Sequence, residues 1–187
     1  KQGDKALYEY TRRYDCPSFS GPFRVEAPAF AHAAAAVDKA DIEHIKIAAR
    51  NIREFHQAQK NNSWFVSKQD GSIFGQKIDA VDRTGLYVPG GQGGNTPLIS
   101  TLLMTAIPAQ VAGVESIALV TPPRKDGTVN PYILAAAYEL GLDELYLLGS
   151  AWAIAALAFG TESITAVDVI AGPGNQWVTA AKNMVQG

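Results

Sequence analysis

The length and composition of the chain are those of a globular protein with a substantial core. The chain has 187 residues, of which 47% are hydrophobic and 18% are charged, so apolar burial can offset the loss of conformational entropy without disulfides. Lysines and arginines number 16 and aspartates and glutamates 18, which gives a net charge of -2. This balance excludes the broad positive field that holds phosphate backbones, so we expect no nucleic-acid partner.

The sequence also bears on the membrane and the compartment. No transmembrane segment is predicted, because the longest apolar stretch is interrupted at Ser100, Pro108, Gln110 and Glu115. The single cysteine, Cys16, has no partner for an internal disulfide and suits a reducing cytosol. We therefore expect a cytoplasmic protein. Because the chain starts at Lys1 and stops at Gly187, directly after a predicted helix, we also expect it to be a piece of a longer protein.

The first 84 residues are predicted to form helices and one hairpin. Apolar residues recur at helical spacing over residues 4–15 and 41–59, and an alanine run at 33–36 also favours helix. Apolar segments on both sides of Asp70-Gly71 predict a β-hairpin near residues 63–80, because this dipeptide accepts positive φ at low cost. We expect this region to belong to an incomplete domain whose remaining strands come from elsewhere.

From residue 85 onward, segments typical of strands alternate with segments typical of helices. The predicted strands are residues 85–88, 116–120, 144–148 and 167–170, and the predicted helices are 98–112, 131–140, 151–159 and 176–185. Alternation with short connections predicts an α/β fold with a Rossmann-like, mostly parallel sheet flanked by helices. We place a domain boundary near residue 84, so that residues 85–187 form the Rossmann-like domain.

The loops after the predicted strands are candidate ligand sites, because open parallel sheets bind ligands at the carboxyl ends of their strands. The loop 89–96 (PGGQGGNT) is predicted to lead into a helix with Pro97 in its first turn, and its backbone N–H groups suit a phosphate. Its spacing departs from the dinucleotide fingerprint, and the next strand ends at Val120-Thr121 with no ribose-binding acid, so a plain turn is an equally good interpretation.

Two further loops follow strands. In loop 172–175 (GPGN), Asn175 either caps the next helix or binds a ligand, and capping is the simpler interpretation. Loop 121–123 (TPP) is predicted only to stiffen its turn.

No metal site and no activated nucleophile is predicted within the chain. The histidines, His32, His44 and His56, are too far apart in sequence to place two ligands on one helical face. Ser100 and Cys16 have no local histidine and acid that would activate them. Packed or solvated roles are therefore expected for all of these residues.

Several motifs taken in order resemble the histidinol dehydrogenase family. They are residues 3–7 (GDKAL) with Asp15, 85–91 (GLYVPGG), 102–109 (LLMTAIPA), 120–123 (VTPP), 151–161 (AWAIAALAFGT) and 172–175 (GPGN). Together they extend over nearly the whole chain, which makes them far more specific than any single glycine loop.

The resemblance implies a zinc-dependent, homodimeric, cytosolic enzyme of histidine biosynthesis, which oxidises L-histidinol to L-histidine through an aldehyde with NAD. The family's dinucleotide contacts in the YVPGG and GPGN motifs correspond here to Tyr87 and Asn175, and Pro89 and Gly174 are expected to line the same cleft. The family's zinc ligands, acid-base pair and substrate groups match nothing in this chain. The resemblance therefore assigns no catalytic or metal-binding residue here, and we expect no catalysis by the chain alone.

Two departures from the family pattern leave alternatives open. Many members have a glutamine that contacts NAD at the position where this chain has Trp152. The indole of Trp152 can donate a hydrogen bond but, unlike an amide, cannot accept one. The loop at residues 92–96 is also longer than in many relatives. One alternative is a sister dehydrogenase for another polyol or a sulfonate alcohol, and the other is a non-catalytic binding module, which the indole at Trp152 suggests. Titration with NAD separates the binding module from the dehydrogenases.

Overall fold

A computed structural model describes residues 2–91 and 96–186 of the chain. The described residues form seven α-helices, a short π-helical turn, a two-stranded hairpin and a four-stranded sheet. This is the α/β architecture that the sequence predicts, with helices flanking a parallel sheet and a separate hairpin preceding it.

The first part of the chain is mainly helical. The helices are α1 (Gly3–Tyr10), α2 (Ala27–Ala36) and α3 (Lys39–Ala58). The predicted helix over residues 4–15 is correct in extent, but its last turn, Thr11–Asp15, is π-helical. Helix α3 begins where the Asp38 side chain accepts a 2.7 Å hydrogen bond from the backbone N–H of Ala40, which satisfies one of the unpaired donors of the first turn.

The predicted hairpin is confirmed. Strands β1 (Trp64–Ser67) and β2 (Ile73–Gln76) pair antiparallel, with Trp64 opposite Gln76. The turn between them has Gly71 at a φ of 84°, a conformation that glycine adopts without steric cost. Every residue of both strands is exposed.

Four strands form one parallel sheet, as predicted. They are β3 (Arg83–Tyr87), β4 (Ser116–Thr121), β5 (Leu145–Leu147) and β6 (Val169–Ala171), arranged in the spatial order β5-β4-β3-β6. Near the β5 edge the chain at Arg24 forms an antiparallel bridge with Tyr146. The N–H of Val25 donates to the carbonyl of Leu145 at 2.8 Å, so this edge is partly covered by the first part of the chain.

Three helices connect the strands of this sheet: α4 (Ile99–Ala112), α5 (Pro131–Glu139) and α6 (Ser150–Phe159). Helix α7 (Gln176–Val185) follows the last strand, β6. Helix α4 starts at Ile99 with Leu98 as its N-cap residue, so the prediction that Pro97 lies in the first turn is wrong. Residues 92–95, which are half of the predicted phosphate-binding loop 89–96, lie outside the described residues.

One hydrophobic core joins the helical first part to the sheet. It includes Phe23 and Phe30 from the first part and Leu86, Leu119 and Leu157 from the sheet and α6, each no more than 2% exposed. Helix α2 packs on α5, and α3 packs on α4, whereas α1 and α7 pack on α6. The division of the chain near residue 84 into two domains stays a prediction. Within residues 2–91 and 96–186, no helix is both long and apolar enough to cross a membrane.

Candidate functional site

The strand order creates a crevice at the carboxyl edge of the sheet. The chain runs from β3 to β4 and β5 on one side, and then returns to β6, which pairs with β3 on its other side. The strand order therefore reverses between β3 and β6, and the loops that follow these two strands are neighbours. In open α/β sheets this switch point is where ligands bind.

Tyr87 ends β3 at this crevice. It is buried, and its hydroxyl oxygen accepts a 3.1 Å hydrogen bond from the backbone N–H of Ser150, the first residue of α6. Ser150 has a φ of 49°, a left-handed conformation that is uncommon for a residue with a side chain and is concentrated at functional sites. Burial raises the pKa of Tyr87, so the phenol stays protonated and its O–H can donate a hydrogen bond to a ligand.

Loop 172–175 lies directly against the end of β3. Gly172 has a φ of 117°, and a Cβ at this position would collide with the carbonyl oxygen of Tyr87, so both the conformation and the close approach require glycine. Asn175 caps helix α7, because its side-chain oxygen accepts from the N–H groups of Trp177 and Val178 at 3.0 and 3.1 Å. Its side-chain NH₂ donates to no atom within the described residues, which leaves it available to a ligand.

The four residues predicted to bind a dinucleotide lie in a single cleft. Tyr87, Pro89, Gly174 and Asn175 all line a cavity of about 590 Å³. Pro122 lines it too, and a Cβ at Gly90 would approach the Cγ of this proline to 2.6 Å. Loop 121–123, predicted only to stiffen a turn, is therefore also part of the wall of the cleft.

The cleft also includes residues that were not predicted as site residues, among them Asp15, Lys125 and Ser150. Asp15 ends the π-helical turn, and its backbone carbonyl accepts a 2.6 Å hydrogen bond from the Lys125 ammonium. Burial raises the pKa of Asp15 to about 6, and the charge of Lys125 opposes this shift. The motifs that carry the family resemblance include Asp15, which is the only signal in the sequence that points to it.

Trp152 lies beside this cleft and is held by other aromatic rings. A larger and mostly apolar cavity of about 810 Å³ shares Asp15, Ser150 and Asn175 with the first and is also lined by Trp152. The indole stacks on Tyr14 with centroids 5.5 Å apart and on Tyr10 at 5.9 Å. Its Nε1 atom is buried and has no acceptor among the described residues. Its packing thus ties α6 to the π-helical turn that carries Asp15.

The described part of the chain contains no cluster of three or more histidine, cysteine, aspartate or glutamate side chains that could hold a metal ion. None of the three histidines lines either cavity. Cys16 is fully buried, and its thiol donates to the backbone carbonyl of Lys125 at 3.3 Å. The described residues therefore do not fit a zinc ion, and no catalytic step is derived through one.

The fold and the cleft define a class of protein: an α/β protein with an open parallel sheet and a cleft at its switch point, the place where such sheets bind small molecules. Sequence comparison narrows the class, because the profile of the histidinol dehydrogenase family matches residues 1–187. The chain belongs to the histidinol dehydrogenase family.

Relatives named histidinol dehydrogenase are similar to this chain over nearly its whole length. It is 61% identical over 186 residues to the histidinol dehydrogenase of Oleidesulfovibrio alaskensis, covering 99% of this chain and 43% of that protein. The same enzyme from Nitratidesulfovibrio vulgaris is 61% identical over 187 residues, covering 100% of this chain and 43% of the relative. The crystal structure of histidinol dehydrogenase from Elizabethkingia anophelis superposes with a TM-score of 0.90 at 42% identity, covering 98% of this chain and 41% of that one. The chain thus spans about two fifths of the length of these relatives.

Proposed function

We propose that this chain is the NAD-binding part of a histidinol dehydrogenase, an enzyme that oxidises L-histidinol to L-histidine through an aldehyde. The observation that carries the proposal is the meeting of Tyr87 with loop 172–175 at the β3/β6 switch point, in one cleft with Pro89, Gly174 and Asn175. Family membership supports it as well. In the complete enzyme we expect a cytoplasmic homodimer that also uses zinc.

The residues of the cleft fit a dinucleotide. Tyr87 and Asn175 supply hydrogen-bond donors, because the phenol is protonated and the asparagine amide group is unused within the described residues. Gly90 and Gly174 line the cleft without side chains, so a ligand can approach the backbone there. Helix α7 begins at this cleft with Asn175 as its N-cap residue, and the partial positive charge of its amino end favours an anionic group such as a pyrophosphate.

When bound, NAD accepts the hydride that leaves the alcohol carbon. The chain's own residues bind and orient the dinucleotide, and none of them matches the family's acid-base pair that takes the hydroxyl proton of the alcohol. We therefore expect the chain alone to be inactive, and NADH formation from L-histidinol by this chain would contradict that expectation.

Calorimetric titration with NAD tests the proposal. We expect weak but measurable binding, and we expect Tyr87→Phe and Asn175→Ser each to weaken it about tenfold, because each removes one ligand hydrogen bond in a cleft. Serine keeps a capping oxygen at position 175, so helix α7 remains stable. Tyr138→Phe on the exposed side of α5 is the matched control and should bind as the unchanged chain does.

Two results would overturn the proposal. One is that the unchanged chain binds no NAD, which would favour a non-catalytic binding module. The other is that NAD binds and both cleft substitutions leave its affinity unaltered, which would place the site elsewhere. Thermal unfolding of each variant shows whether a loss of affinity reflects a loss of fold.

A further inference from the structure

Asp15 stands at the junction of the two cavities. It is the last residue of the π-helical turn, and it lines both the cleft around Tyr87 and the apolar cavity beside Trp152. The turn is closed by a 2.9 Å hydrogen bond from the N–H of Cys16 to the carbonyl of Thr11. Single π-helical turns are frequent at functional sites, where they redirect a side chain.

The carboxylate of Asp15 lacks a donor in the described structure. Its Oδ2 atom is buried and accepts no hydrogen bond from the described residues. The nearby Lys125 ammonium donates to the backbone carbonyl of Asp15. Burial raises the pKa of Asp15 to about 6, so the group is ionised at neutral pH and needs donors that the described residues do not supply.

The position of Asp15 in the fold indicates which ligand group would supply a donor. A Cβ at Gly149, just after β5, would approach Asp15 Oδ2 to 2.9 Å and the Cβ of Pro122, just after β4, to 2.8 Å. Asp15 is therefore close to the ends of both strands. In dinucleotide-binding sheets an acid near the end of the second strand binds a ribose hydroxyl. Here β4 ends at Thr121, and the acid in the loop after it, Asp126, is exposed, accepts hydrogen bonds from Thr128 and does not line the cleft, so the corresponding acid is missing from the cleft.

We propose that Asp15 replaces this missing acid from outside the sheet: it accepts a hydrogen bond from the 2′-hydroxyl of the adenosine ribose and selects NAD against NADP. The inference rests on the proposed function, since it assumes that a dinucleotide occupies the cleft. A carboxylate accepts hydrogen bonds only, so it pairs with a hydroxyl and repels the 2′-phosphate of NADP at short range. Asp15 is thus a specificity-determining residue of the cofactor site.

Calorimetric titration of the chain and of Asp15→Asn with NAD and NADP tests this assignment at neutral pH. We expect the unchanged chain to prefer NAD at least tenfold, and Asp15→Asn to reduce that preference at least tenfold, mainly through tighter binding of NADP. Asp143→Asn is the matched control, because Asp143 is exposed and precedes β5 at the opposite edge of the sheet. It should leave the preference unchanged.

A second measurement changes the ligand instead of the chain alone. The 2′-deoxy analogue of NAD should bind the unchanged chain about tenfold more weakly than NAD, whereas Asp15→Asn should bind the two more nearly equally. An unaltered preference in Asp15→Asn, or equal affinity of the unchanged chain for NAD and its deoxy analogue, overturns the inference. If NAD binds and depends on Tyr87, the proposed function survives this failure. If the unchanged chain binds no NAD, both proposals fail.

Discussion

The hairpin and the parallel sheet are built from similar residues but have opposite surroundings. Phe65 in β1 and Ile73 in β2 are 62% and 68% exposed, whereas Leu86 in β3 and Leu119 in β4 are 1% and 0% exposed. The hairpin is held by its own backbone pairs and its turn, and an isolated hairpin of this kind is only marginally stable in water. The sheet is covered by helices. Strand-forming residues therefore specify a strand in both places, but only burial makes the strand contribute strongly to stability.

The largest expected difference comes from deleting apolar side chains in the two regions. Leu119→Ala should lower the free energy of unfolding by about 3 kcal/mol, because it leaves a cavity in a fully packed core. Phe65→Ala in the hairpin should change it by less than about 0.5 kcal/mol, because the ring is largely solvated. Urea denaturation of both variants measures the two effects. Similar losses would contradict the contrast between the two regions.

A smaller difference is expected between ion pairs. Arg83 and Glu144 form a paired hydrogen-bonding arrangement at the amino edge of the sheet, where their side chains are 16% and 17% exposed. Burial by itself raises the pKa of Glu144, but hydrogen bonds from Arg83 and Tyr146 and the charge of Arg83 together lower it.

Glu144→Gln should therefore cost about 2 kcal/mol of stability at pH 7, because it leaves the Arg83 guanidinium partly buried without a negative partner. The difference should shrink on acidification, since protonation of Glu144 in the folded state removes the same charge. Asp79→Asn removes the exposed partner of Lys77 just after the hairpin and should leave the urea midpoint unchanged. An equal shift of the urea midpoint in both variants would show that burial does not decide how much an ion pair stabilises the fold.

The smallest expected effect concerns two aspartates with opposite pKa shifts. Burial raises the pKa of Asp15 from 3.8 to about 6, so ionising it costs stability as the pH rises through this interval. Below pH 3.8, Asp15→Asn should therefore be as stable as the unchanged chain. Between pH 3.8 and about 6 its stability should rise relative to that of the unchanged chain. Above pH 6 it should be about 1 kcal/mol more stable, after allowance for solvent screening of a part-buried carboxyl.

Asp70 in the hairpin turn gives the matched comparison. Hydrogen bonds from the hydroxyl and the N–H of Ser72 lower the pKa of Asp70. The contribution of its charge to stability is therefore lost as the pH falls. At neutral pH, Asp70→Asn should be less stable than the unchanged chain, the opposite of what is expected for Asp15→Asn. Thermal unfolding across pH 3 to 8 measures both, and the same sign in the two variants would refute the assignment of causes.

The order of elements was predictable because it depends on local patterns. Alternating strand and helix segments, the Asp70-Gly71 turn and the cap at Asn175 are all encoded within a few neighbouring residues. Tyr87 and Asn175 were found as candidates because they directly follow strands, and their motifs resemble a known family. Their roles as cofactor ligands remain predictions.

The residues that were missed lie where distant segments meet. Asp15 approaches the cleft from the end of the first helical segment, Lys125 from the loop after β4 and Ser150 from the start of α6. Nor did helical periodicity distinguish the π-helical turn from an α-helix. The stacking of Trp152 on Tyr10 and Tyr14 likewise joins α6 to the first segment.

The sequence by itself determined the α/β class, the positions of the strands and the family of this chain, because hydrophobic periodicity, turn residues and motifs are local properties. Only the tertiary structure decided the strand order that places β3 beside β6, the exposure of the hairpin and the burial of Asp15 in the cleft. These depend on which segments pack together, and that is set by the summed burial and pairing of residues far apart along the chain.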